Sequence, residues 1–293
     1  MNSDPCIQYS KRLHTLLVQV ISKNLSSSTV IGVLFSGGLD SSVIATILKT
    51  LQPSPFQLFV AGIDSAKDIE LARKAATALH LPLTLCGFDA DAVEAMLPTI
   101  LAILGRVDVL HVELAIPLFF AAKYASQFGI NTLFSGQGAD ELFGGYAKYE
   151  KRIVQLGEQS VLTEMESDLH TLHEHTLPLM KDILSHSNVK LVVPFCDKTI
   201  NDFATSLPFT CKIVQDSGII IRKQILRLLA EKLDLPPQIV NAPKRALQYG
   251  SGAHRILTDL AANYWIEQNP ELSQRKARTH TRIEQYLTQL INS

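Results

Sequence analysis

Apolar residues recur at helical spacing near the start of the chain, where Leu13, Leu16, Leu17, Val20 and Ile21 mark one face of a helix over residues 7–25. A serine cluster, Ser26 to Ser28, ends that pattern. Val30 to Phe35 is a short apolar run that stops at glycines, and helical spacing resumes from Leu39 to Leu51. Pro53 and Pro55 precede a second apolar run, Phe56 to Ala61. Asp68 to Leu79 then reads as a helix and Leu83 to Cys86 as a third strand. Two more helices are predicted over 90–104 and 113–128, and Thr132 to Phe134 is a fourth strand, again ending in glycines. Beyond residue 150 the spacing is helical, over 159–184, 197–206, 219–233 and 252–265. Residues 267–280 are polar and charged, the composition of a mobile linker, and a last amphipathic helix follows.

Strands alternating with helices predict an α/β fold, a doubly wound parallel sheet with a mainly helical C-terminal part. The expected division is an N-terminal helical segment (1–29), an α/β core (30–150), a helical part completing the domain (151–265), and a linker with a terminal helix (266–293). Such sheets bind ligands outside the carboxyl ends of their strands. Both glycine-rich segments fall there.

Composition narrows the partners. Hydrophobic residues make up 46% of the 293 positions and charged residues 19%, enough for a sizeable core. The net charge of −1 argues against a nucleic-acid partner held by bulk charge. Val107 to Ala122 is the most apolar stretch, but Asp108, Glu113 and Pro117 interrupt it, and it reads as too short to span a bilayer. The start, Met1 to Pro5, has no basic and apolar leader pattern. Cys6, Cys86, Cys196 and Cys211 are widely separated, without C-x-x-C spacing, and are expected to be reduced packing residues. These features together predict a cytoplasmic protein without a membrane partner.

The strongest chemical signal is Ser36-Gly37-Gly38-Leu39-Asp40-Ser41-Ser42, between an apolar strand and a helix. Two glycines let the backbone approach a ligand, and a helix start turns unpaired N–H groups toward an anion. Ser36, Ser41 and Ser42 add hydroxyl donors suited to phosphate oxygens. No lysine follows, as it would in a Gly-Lys-Ser/Thr nucleotide loop. Asp40 instead offers a carboxylate for Mg²⁺. A glycine turn before a serine-capped helix is the bland alternative. The segment resembles the PP-loop of the ATP-pyrophosphatases, which include asparagine, GMP and argininosuccinate synthetases. That resemblance implies an adenine nucleotide alpha hydrolase-like fold and cleavage of ATP between its α and β phosphates, the loop holding the departing pyrophosphate.

A second segment, Ser135-Gly136-Gln137-Gly138-Ala139-Asp140-Glu141-Leu142-Phe143-Gly144-Gly145-Tyr146, is another glycine turn feeding a helix, with adjacent carboxylates at its mouth. Asp140 can share a magnesium ion with Asp40, or simply cap the helix. The segment looks like the S-G-E-G-A-D-E-x-F-G-G-Y signature of the synthetase domain of asparagine synthetases, shared by β-lactam synthetases. The likeness spans roughly residues 8–262. It implies that Phe35, Ala61, Ser135 and Gly136 contact adenosine, and that Asp140 and Glu141 belong to the substrate site. Lys244, in Pro243-Lys244-Arg245, fits the family's C-terminal lysine, which would neutralise charge on the α-phosphate. A solvent-facing Lys-Arg pair is the alternative reading. Pro194-Phe195-Cys196-Asp197 resembles a structural turn of the family.

Four departures concern the acceptor. Asn2 stands where family members with a glutaminase domain carry a nucleophilic cysteine, so ammonia is expected to be free, to come from a separate glutaminase, or to be replaced by another amine. Gln137 replaces a glutamate and cannot act as a general base, though it can orient a nucleophile. Glu113, in His111-Val112-Glu113, replaces an arginine near the substrate, a reversal of charge. The family's R-D-D-R and E-x-R-x-P-F-L-D run is mostly lost, replaced by Leu179 to Asp182 and Lys190 to Pro194. His170, His173 and His175 suggest metal ligands but lie in a solvated helical stretch, and His111 reads either as a neighbour of the acceptor pocket beside Glu113 or, in preference, as a structural histidine. The expectation is an ATP- and Mg²⁺-dependent ligase of amino-acid biosynthesis, asparagine synthetase-like, that adenylates a small carboxylate (aspartate by resemblance) and joins it to ammonia or an amine. A catalytically altered nucleotide-binding subunit of a partner protein is the alternative.

Overall fold

The computed structural model describes residues 4–25, 30–51, 56–216, 219–242, 250–268 and 279–292. Helix α1 (Pro5–Ser22) starts where the Asp4 side chain accepts from Cys6 N at 2.9 Å and Pro5 occupies the first turn, which needs no N–H there. Strand β1 (Ile31–Leu34) leads to α2 (Leu39–Leu51), β2 (Gln57–Gly62), α3 (Lys67–Leu79) and β3 (Leu83–Gly87). Next come α4 (Ala90–Leu104), α5 (Val109–Gln127) and β4 (Thr132–Ser135). Asp89 and Asp108 cap α4 and α5 through Ala92 N (2.8 Å) and His111 N (3.0 Å).

The C-terminal half holds α6 (Ala139–Phe143), α7 (Ala147–Leu156), α8 (Glu158–Thr171), α9 (Leu177–Ser185) and β5 (Lys190–Val192). It continues with α10 (Lys198–Thr205), β6 (Ile213–Asp216), β7 (Ile219–Arg222), α11 (Gln224–Lys232), α12 (Pro237–Val240), α13 (Ala253–Gln268) and α14 (Thr279–Asn292).

Five strands form one parallel sheet in the order β3-β2-β1-β4-β5, with β6 and β7 a separate antiparallel hairpin. Side chains alternate between its two faces. Leu58 and Val60 of β2 and Phe134 of β4 join a core with α1, α2, α3 and α11, whereas Phe59 and Leu133 join the opposite core with α4, α5, α9, α13 and α14. The α/β, doubly wound arrangement expected from the sequence is therefore the one observed.

Several elements differ from expectation. The sheet has a fifth strand, β5, too short at three residues for its alternation to register. Residues 219–222 are a strand, not the start of a helix, because the β-branched Ile219, Ile220 and Ile221 pair with β6. The expected reduced state of all four cysteines is also corrected: Cys6 and Cys211 form a disulfide with Cα atoms 5.4 Å apart, linking α1 to the chain just before β6, while Cys86 and Cys196 are free. Helix α5 is longer than its spacing predicts and, at 19 residues, is long and apolar enough to cross a membrane by length and composition. Two-thirds of its apolar stretch (67%) is buried inside the protein, so that apolarity is consumed by packing against β2, α4 and α9. The predicted linker lies largely outside the described residues.

Directly before β6, Lys212 is 6% exposed, and burial pushes its ammonium down from 10.5 to about 8, with Glu166 opposing that shift. The unfolded chain thus holds this proton more tightly than the folded one, and stability should rise as pH climbs from 8 toward 10.5, by an amount on the order of 3 kcal/mol. In urea titrations, Lys212→Met is expected to raise stability at pH 7 and to flatten that slope. A wild-type stability already flat across the window would contradict the assignment.

Candidate active site

The order of the strands decides where a site can form. From β1 the chain winds outward through β2 and β3, while β4 and β5 lie on its other side, so the fold switches direction between β1 and β4. Leu34 and Ser135 are in register there, and the two glycine turns leave the sheet side by side. They approach closely. A Cβ on Gly136 would stand 2.8 Å from Ser41 N and 2.9 Å from the Asp40 backbone, which leaves no room for a side chain.

A cavity opens over this junction. Its walls include Phe35, Ser36, Gly38, Asp40, Ser41, Ala61, Ser135, Gly136 and Gln137 from the two motifs and β2, with Pro117, Leu118 and Ala121 from α5. Ser36 and Ser41 hydroxyls lie 3.3 Å apart, and Gly38 N donates to Ser36 Oγ at 3.4 Å. Gly37 and Ser42 do not line the cavity. Ser42 is fully buried, with no partner for Oγ among the described residues.

Asp40 and Asp140, 100 positions apart in the sequence, meet around one cation. Lys223 Nζ lies 2.7 Å from both Asp40 oxygens and 2.7 Å from Asp140 Oδ1. The side chains of Lys223, Asp40 and Asp140 are 6%, 14% and 7% exposed. Lys223 adopts a left-handed backbone (φ 57°) at the joint between β7 and α11, a conformation unfavourable for a lysine and held by its surroundings. Gly145 makes room for this cluster, since a Cβ there would overlap Asp140 Oδ1 and Lys223 Cε. Its carbonyl accepts a hydrogen bond from Arg222.

Neighbouring residues divide into those in the cavity and those behind it. Glu141 accepts from Tyr146 OH at 2.6 Å and does not line the cavity; burial and that carboxylate push the Tyr146 phenol up. Glu113 is buried against His254, with Oε1 2.7 Å from Nδ1. His111 sits 3.0 Å from Asp108 and 2.8 Å from Arg106 at the start of α5, a capping environment. Lys244 lies outside the described residues.

Lys223, Asp68, Arg222 and Arg227 also line the cavity, although none stands in a glycine-rich motif. Asp68 carried a signal, as a carboxylate in the first turn of the helix after β2, at the edge where ligands bind. Lys223 carried none, for it lies 183 positions from Asp40 in a stretch read as helix.

The described residues contain no group of three or more His, Cys, Asp and Glu that could hold a metal. Two carboxylates already arranged around a cation nevertheless suit Mg²⁺, which commonly takes one or two protein carboxylates and completes its octahedron with water and phosphate oxygens.

The asparagine synthase family model matches residues 12–161 and 154–291. The chain belongs to the asparagine synthase family. A putative glutamine-hydrolyzing asparagine synthetase of Methanocaldococcus jannaschii is 28% identical over 280 residues, covering 86% of this chain and 51% of that protein. The glutamine-hydrolyzing asparagine synthetase of Bos taurus is 29% identical over 248 residues, covering 81% of this chain and 43% of that protein. The chain spans about half the length of the curated relatives it matches. Among solved structures, NMN synthetase from Francisella tularensis aligns with a TM-score of 0.44 at 13% identity, over 98% of this chain and 94% of that one.

Removing one partner of a buried ion cluster typically costs about 3–5 kcal/mol. Lys223→Met should therefore lower the melting temperature sharply, since it removes the cation that stands between the two carboxylates. Adding Mg²⁺ is expected to restore part of that loss, giving the variant a larger Mg²⁺-dependent rise than the wild type. Identical Mg²⁺ responses in the two proteins would show that this carboxylate pair does not take the ion.

Proposed function

We propose that this member of the asparagine synthase family adenylates a small carboxylic acid with ATP and passes the acyl group to ammonia or another amine, releasing AMP and pyrophosphate. The observation that carries the reading is the convergence of Asp40, Asp140 and Lys223 beside the two glycine turns of the switch point. On this reading Phe35, Ala61, Ser135 and Gly136 hold adenosine, while Ser36, Gly37, Gly38, Ser41 and Ser42 form the turn around the phosphates. Asp40 and Asp140 would hold Mg²⁺, which when bound supplies charge neutralisation to the phosphate oxygens.

A carboxylate oxygen of the acid attacks the α-phosphorus, and the bond to the bridging oxygen of pyrophosphate breaks. Lys223 keeps the two aspartates in place while negative charge gathers on the leaving group, a role for fixed charge in a site largely shielded from water. Lys244 would meet the α-phosphate from the segment after α12. The amine nitrogen then attacks the acyl carbon and AMP departs. Gln137 can orient that nitrogen by hydrogen bonding, but the proton it sheds goes to solvent or to the departing phosphate, since an amide takes none. Aspartate is the acid and ammonia the amine that the family suggests, supplied free or by a separate glutaminase.

A second reading, a nucleotide-binding subunit without turnover, is favoured by one observation: Gln137, which cannot serve as a base, is among the residues lining the cavity. Pyrophosphate release from Mg·ATP, screened across small carboxylates with ammonium present, separates the two. Release is expected with at least one acid and should fall at least a hundredfold in Asp40→Ala, about 2.7 kcal/mol of transition-state stabilisation. Tight ATP binding without release from any acid would favour the second reading.

A further inference from the structure

Lys223 is held in two ways, and both lead back to α1. The first is through α11. Arg227 N donates to Lys223 O at 3.0 Å, and α11 buries Ile225, Leu226 and Leu229 in the same core as Leu13, Leu17 and Val20 of α1. The second is through one short segment that grips both neighbours of the lysine. Gln224 N donates to Lys212 O at 3.0 Å, and Arg222 pairs with Ile213. Cys211, the residue before that segment, is bonded to Cys6 in the first turn of α1.

The hairpin that supplies this second hold stands apart from the main sheet, and a lone two-stranded pair is marginally stable by itself. It leans on α7 and α8: Ile213 packs with Tyr149, Ile153, Val161 and Met165, and Arg222 lies 2.5 Å from Glu150. Asp40 belongs to another layer, in the first turn of α2, on which α1 packs. The disulfide is the covalent tie between the two. It fixes the hairpin entry to the helix that also locates Asp40. At φ 57°, Lys223 occupies a backbone region unfavourable for a lysine, which it can leave once its neighbours are free to turn.

We propose that the Cys6–Cys211 disulfide positions Lys223 between Asp40 and Asp140, and that its reduction by a dithiol frees the lysine and slows the reaction without unfolding the protein. The proposal rests on the proposed function for the reaction that is slowed. A thiolate of the dithiol attacks one sulfur of the bridge, the S–S bond breaks, and the second thiol of the reductant resolves the mixed disulfide. Two electrons and two protons pass from the dithiol to Cys6 and Cys211, which become thiols while the reductant closes to its own disulfide. The reductant enters at Cys6, the second residue of α1, because a helix end opens locally at less cost than the core. Neither cysteine lines the cavity, so both are positioning residues.

The test compares three forms of the full chain: oxidised wild type, wild type reduced with dithiothreitol, and Cys6→Ser, with thiols counted by alkylation and mass spectrometry. Hydrogen exchange over residues 219–227 is expected to quicken at least tenfold in the last two, with β1 unchanged. In pyrophosphate release from Mg·ATP, their kcat should fall at least tenfold while KM for ATP stays within about threefold. Glutathione disulfide should restore the reduced wild type and leave Cys6→Ser slow. If Cys6→Ser does not fold, the reversible cycle on the wild type decides. Free thiols at Cys6 and Cys211 in the oxidised protein, or a bridge that dithiothreitol leaves closed in the folded chain, would overturn the proposal. So would exchange that quickens equally in β1, or a kcat that reduction leaves unchanged. If exchange quickens only over 219–227 but no form yields pyrophosphate with any acid, the positioning of Lys223 stands and the synthetase reading fails.

Discussion

The site depends on one buried lysine held between two aspartates. Asp40 comes from the turn after β1, Asp140 from the turn after β4, and Lys223 from the joint between a peripheral hairpin and α11. Two carboxylates brought this close in a largely dehydrated setting repel unless a cation stands between them. Lys223 therefore ties the C-terminal half of the chain to the switch point of the sheet. The cost of its left-handed backbone is tolerated because ions, Gly145 and the first turn of α11 all determine the same position.

Around that cluster the two faces of the sheet have separate duties. One face packs α1, α2, α3 and α11, the helices that carry the phosphate-side turn and the lysine joint. The Cys6–Cys211 disulfide fastens the same layer, joining α1 to the residues that enter the hairpin. The other face packs α4, α5, α9, α13 and α14, and it brings Glu113 and His254 together. The two cores meet at the sheet, and residues from both line the cavity over it.

The periodic parts of the fold were legible because their pattern is local. Leu58, Phe59 and Val60 alternate faces, and the face of α1 repeats at helical spacing. The short β5 and the β6–β7 hairpin were not. Three residues cannot display a period, and an isoleucine run suits either a buried helix or a strand until its partner is known. Asp68 could have been marked from its position after β2, whereas Lys223 had no neighbouring motif to announce it.

What the sequence determined by itself was the first four strands with the helices between them, the two glycine turns and the family to which they belong, because each is encoded in consecutive residues. Tertiary structure decided which charges meet. Asp40, Asp140 and Lys223 are joined only when β1 and β4 pair and the hairpin folds back over them, and Glu113 finds His254 across 141 positions only when α13 docks beside α5. Electrostatic contact depends on distance in space, and chain separation of that length carries no trace of it.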